Sequence, residues 1–118
     1  MLSVDSRVAG VRKLAENADP AAALELLRTG RTEWTGDRGE ERFGMKMFDP
    51  TELERLLERT GFEPLSRIAK TCIVQRHNQA WLADPATRKR LLAAEERVHK
   101  LPHWFGLAGH FQIAAQRK

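Results

Sequence analysis

The stretch Met45-Lys-Met-Phe-Asp-Pro-Thr-Glu-Leu-Glu-Arg-Leu-Leu-Glu-Arg-Thr-Gly-Phe-Glu63 encodes a helix with both of its ends specified, running on into a strand. Asp49 supplies a side-chain oxygen for the unpaired amides of a first helical turn. Pro50 fixes φ at a helical value where no amide is needed. Glu52 stands three positions beyond Asp49, the spacing of a capping box. Leu53, Leu56 and Leu57 recur at i, i+3 and i+4 and make one apolar stripe. Gly61 is the stop, because the chain leaves a helix through a left-handed backbone that glycine tolerates, and Phe62 can fold back on the stripe. The segment predicts a helix over 50–60.

Working outward, the same start signal recurs at Asp19-Pro20 and Asp84-Pro85. After Asp19, Leu24 and Leu27 fall on one face and Gly30 is the stop. Val8, Val11, Leu14 and Ala15 suit a further helix upstream. After Asp84, Leu91, Ala94, Val98 and Leu101 align before Pro102 ends the run. The shared start signal is not a repeat architecture. Strand signals are fewer. Residues 64–75 are rich in Ile, Val and Thr, and residues 109–116 set Phe111, Ile113 and Ala115 against His110, Gln112, Ala114 and Gln116. Leu2-Ser-Val-Asp5 is a short strand-like opening. Residues 30–44 carry Gly30, Gly36, Gly39 and Gly44 among many charges and read as a loop.

At 118 residues the chain is one domain at most, and 42% hydrophobic with 31% charged residues is the composition of an ordinary globular chain. No apolar run is long enough to span a bilayer, and the first residues lack the apolar core of a signal peptide. The cytoplasm is the expected compartment. The formal charge of +4 is a small excess of 20 basic over 16 acidic residues. It is spread over mixed surfaces such as Glu52, Glu54, Arg55, Glu58 and Arg59, so no nucleic-acid partner is expected; Arg88-Lys89-Arg90 reads as a solvated face. The single cysteine, Cys72, excludes an internal disulfide and reads as a buried, inert thiol within the second strand. His77, His99, His103 and His110 lack a metal-ligand spacing. His99 and His103 are four apart, but Pro102 breaks the helix that would align them. His110, opening the last strand, is of interest for hydrogen bonding.

The 45–63 segment resembles a part of class I S-adenosylmethionine-dependent methyltransferases. There, a capped helix bearing Glu-Leu-x-x-Leu-Leu precedes Gly-Phe and the penultimate strand. His110-Phe-Gln-Ile-Ala-Ala-Gln-Arg-Lys118 resembles that family's last strand, and Leu2-Ser-Val-Asp-Ser-Arg7 the tail of its fifth. The resemblance implies an α/β fold, or α+β as an isolated piece. It would be the C-terminal fragment of a Rossmann-like sheet, with few strands and about four helices. Residues 1–7 would end a strand, 8–48 form a helical insertion and loop, 49–75 a capped helix and strand, 76–108 a helical lid and 109–118 the last strand.

The family's cofactor signature, a Gly-x-Gly-x-Gly turn with an acidic residue closing the next strand, finds no match. Gly36-Asp-Arg-Gly39 and Gly106-Leu-Ala-Gly109 have the wrong spacing and read as turns. S-adenosylmethionine is thus expected for the parent enzyme and not for this chain alone, with the signature placed before Met1. The resemblance also nominates substrate-binding residues for a small-molecule acceptor: Arg7 after the first strand, and Trp34, Trp81 and Trp104 in loops. Aromatic residues there stack on flat acceptors. The alternative for each tryptophan is packing of helices onto the sheet.

Two strands and a short third are thin for four helices and leave a long edge exposed. Either an N-terminal half covers that edge, or the chain is a small non-enzymatic interaction module that oligomerises. The methyltransferase reading requires residues 65–75 and 109–116 to pair antiparallel, with 76–108 as a capped helical excursion between them.

Overall fold

Side-chain caps start the four helices of the computed structural model, which describes residues 1–35, 39–74 and 76–118, with the backbone alone at Arg76 and His77. Ser6 accepts the Ala9 amide and opens α1 (Arg7–Glu16). Asp19, Asp49 and Asp84 each accept the amide three residues on and open α2 (Pro20–Thr29), α3 (Pro50–Arg59) and α4 (Pro85–Val98). Among the described residues the five strands are β1 (Leu2–Asp5), β2 (Arg31–Thr35), β3 (Arg42–Lys46), β4 (Phe62–Lys70) and β5 (His110–Arg117). Two 3₁₀ segments, Arg76–Ala83 and Pro102–Trp104, flank α4.

β5 lies between β1 and β4 and is antiparallel to both, so β1 and β4 run parallel. The expected pairing of the last two strands is therefore present, from Phe62 opposite Arg117 to Lys70 opposite His110. A bulge near Pro64 shifts the register, and Pro64, with no N–H to donate, sits on an edge strand where the loss is tolerated. Phe111 and Ile113 project from one face onto Leu53 of α3, all three buried, with Val4, Phe48 and Leu57 around them. Fully burying each such side chain contributes roughly 1.5–3 kcal/mol. A second cluster, Ala69, Cys72, Phe105 and Ala108, fastens the excursion after α4 to the end of β4.

Several sequence expectations change. Residues 30–44 are not a loop: β2 and β3 pair antiparallel, with Trp34 stacked on Phe43 at 4.9 Å between ring centroids. Their cross-strand pairs outweigh the glycines, of which Gly30 is the left-handed stop of α2 (φ 71°). Gly36 lies outside the described residues. The 8–48 stretch is accordingly two helices and a hairpin. The second long strand begins at Phe62 and ends at Lys70, because Thr71 turns to φ 57°, so Cys72 lies beyond the strand. Leu101 lies past α4, which stops at Val98. On α2 the inward face is Ala23 and Leu26, while Leu24 and Leu27 are 65% and 58% exposed. Glu52 does not close a capping box: its carboxylate turns to Arg7 and Lys46.

Gly10 is where α1 comes closest to its neighbours. A Cβ there would stand 2.5 Å from Met47 Sδ and 2.9 Å from Leu26. No described helix is long and apolar enough to cross a membrane.

Candidate functional site

The carboxyl ends of β1 and β4 point the same way, and β5 begins at that end. Ligands of open α/β sheets bind at the carboxyl ends of parallel strands. Here the topology brings together the last residue of β1, the first of β5 and the first beyond β4. Asp5 and His110 are cross-strand partners, and the imidazole Nε2–H donates to Asp5 Oδ1 at 2.7 Å. The other ring nitrogen, Nδ1, lies 3.5 Å from Thr71 Oγ1. The Thr71 hydroxyl donates to the Lys70 carbonyl at 2.6 Å. Thr71 holds φ 57°, a left-handed conformation that a β-branched residue rarely adopts. Gly109 makes room for it, since a Cβ there would stand 2.8 Å from Thr71 Oγ1.

This group opens on a cleft of 1290 Å³ bounded by α1, the 71–74 turn and the 107–110 segment. Ala9, Met47, Val74 and Leu107 give it apolar walls, and Arg12, Lys13 and Glu16 line it from α1. Among the described lining residues Arg12 pairs with Glu16 at 3.7 Å, and Lys13 is a further cation there. The 71–74 turn is held from the far side by Glu95 of α4. Its carboxylate accepts the amides of Cys72 (3.2 Å), Ile73 (2.5 Å) and Val74 (2.7 Å). Three consecutive N–H groups converging on one anion make a backbone nest with an internal occupant. Burial, with the Glu95 charge second, pushes the Cys72 thiol up to about 11. A thiol so raised is a poor nucleophile at neutral pH.

The four residues nominated from sequence fall in separate places. Arg7, at the start of α1, is largely buried in an ion-pair cluster with Glu52 and Asp49, and Lys46 joins Glu52 at 2.8 Å. Trp34 lies on the hairpin against Phe43. Trp81, in the first 3₁₀ segment, is 58% exposed. Trp104 packs on the Ala69–Cys72–Phe105–Ala108 cluster. None of the four lines the cleft beside His110. Sequence reasoning singled out His110 and missed Asp5 and Thr71. The signal was available in part, since a strand ending in Asp and another opening in His are placed side by side once antiparallel pairing is assumed.

Among the described residues no glycine turn joins a strand to a following helix: Gly39 lies between β2 and β3, and Gly106 and Gly109 precede β5. No described cluster of His, Cys, Asp and Glu could hold a metal ion. Neither a protein-family model nor a curated protein matches the chain.

Proposed function

We propose that this chain is the acceptor-facing, C-terminal portion of a class I S-adenosylmethionine-dependent methyltransferase of the cytoplasm, acting on a small molecule. Its cofactor would be held by residues outside this portion. The observation that carries the reading is the strand order. The last strand lies antiparallel beside the penultimate one, preceded by the capped helix and Gly-Phe, as the family resemblance requires.

The surface of the molecule supports a missing counterpart. A self-contained monomer of 13.4 kDa exposes about 6,500 Å², whereas this chain exposes 8423 Å². Its radius of gyration is 15.8 Å, against about 13.5 Å for a compact domain of this length. The excess, roughly 1,900 Å², is more than twice what one partner buries in a standard interface and lies in the range of a large obligate one. β1 offers a place for it. The Ser6 amide bonds the Gly109 carbonyl, so alternation turns the Ser3 backbone toward the free edge. Phe48 occupies only the upper end of that edge, through bonds with Asp5 and Arg7.

The test is a search of the reading frames adjoining this one for a Gly-x-Gly-x-Gly segment, followed by its co-expression with this chain. The proposal expects a 1:1 complex in gel filtration with light scattering. A well-folded chain that stays monomeric beside that segment counts against it.

A second reading, a non-enzymatic module that oligomerises, draws on the outward Leu24 and Leu27 of α2 and the exposed Phe43 of the hairpin. Light scattering separates the two, because this reading expects a homo-oligomer of the chain by itself.

A further inference from the structure

We infer that the cleft at the carboxyl end of the sheet is a binding site for a small hydroxylated organic anion, with His110 as the acceptor of its hydroxyl proton. Asp5 takes the Nε2–H at 2.7 Å, so in the neutral imidazole the proton sits on Nε2 and the in-plane lone pair on Nδ1. Nδ1 faces the end of β4, and His110 is 51% exposed in its side chain, so a ligand can reach it. Thr71 Oγ1 lies 3.5 Å away, at the outer limit of hydrogen bonding, with its own proton directed to the Lys70 carbonyl at 2.6 Å. A ligand hydroxyl seated there donates to Nδ1 while Thr71 Oγ1 flanks it.

The backbone is arranged to keep this geometry. Thr71 is held left-handed, and Gly109 lacks the Cβ that would displace its hydroxyl. Strain of this kind persists where the surroundings enforce it, and three amides on Glu95 pin the turn. The apolar walls suit a flat body, and Lys13 in the cleft lining supplies a cation for a carboxylate.

The proton step balances without a co-reactant. The ligand O–H bond breaks, its electron pair stays on oxygen, and the proton bonds to Nδ1. The Asp5 carboxylate offsets the charge of the resulting imidazolium. Binding and proton acceptance stand on this geometry alone; only identifying the ligand as a methyl acceptor rests on the preceding reading.

The probe is 4-hydroxybenzoate, titrated into the full chain and followed by ¹H–¹⁵N correlation spectra of the histidine rings, with benzoate as the hydroxyl-free control. The expected result is an Nε2–H tautomer at His110 and a saturable shift of its Nδ1 resonance. Benzoate and the Asp5→Ala variant should each bind roughly tenfold more weakly. Backbone spectra verify that the variant is folded, and His110→Phe, followed by calorimetry, should lose the preference for the hydroxylated probe. An Nδ1–H tautomer, the absence of a saturable shift, or equal affinity for the two probes overturns the inference. None of these outcomes bears on whether the chain joins a cofactor-binding segment.

Discussion

Thr71, Gly61 and Cys72 show how single residues set the ends of the sheet. Gly61 holds φ 88°, and a Cβ there meets nothing within 4 Å, so its replacement is resisted by backbone conformation alone. Gly61→Val is expected to cost about 1–2 kcal/mol, read as a lowered midpoint in chemical denaturation; an unchanged midpoint contradicts the left-handed assignment. Gly61 was legible because a glycine follows a leucine stripe. Thr71 was not, because a β-branched residue at positive φ runs against its own preference and is imposed by the contacts around it. Cys72 gives a second prediction. Its thiol is raised to about 11 by burial and by Glu95, against an ordinary 9.0. Alkylation by iodoacetamide should therefore lag far behind that of a free thiol at pH 8 and accelerate only above about pH 10. Because the folded-state value lies above the unfolded one, this group's contribution to stability is full below about pH 9 and is lost as pH rises toward 11. A fast reaction at pH 8 in the folded chain contradicts the buried placement.

At the scale of elements, the capped helices and the paired last strands were readable, because caps and alternation are local signals. The hairpin was not. Its glycines and charges suggest a loop, while its stability comes from pairs such as Trp34 with Phe43 that only folding brings opposite each other. Leu24 and Leu27 mislead in the same way, since periodicity finds an apolar face without saying which face has a neighbour. Two element-level outcomes follow. Asp49→Ala should destabilise the chain by about 1 kcal/mol through loss of the Glu52 amide bond, measured by urea titration. Glu95→Ala should speed hydrogen exchange at the Ile73 and Val74 amides, which lose their acceptor. Exchange that stays at the parent rate contradicts the role of α4 in holding the turn beside His110.

At the scale of the whole molecule, the excess surface and the open edge of β1 argue for a counterpart, and among the described residues no glycine turn joins a strand to a following helix. Isothermal titration of the chain alone with S-adenosylmethionine should accordingly show no saturable heat, and micromolar binding would place the cofactor site within this chain. Arg7 ties α1 to α3 through Glu52 and Asp49, so Arg7→Ala is expected to lower stability. The site was only partly legible at this scale: Asp5, Thr71 and His110 are far apart in sequence and meet only through the order of the strands. The central claim, that this portion presents an acceptor to a cofactor held elsewhere, is tested most directly by methyl transfer. Tritium from methyl-labelled S-adenosylmethionine should pass to small-molecule acceptors only when the chain and the adjoining glycine-motif segment are present together. Transfer by that segment without this chain, or none from a stable complex of the two across a broad acceptor panel, would contradict it.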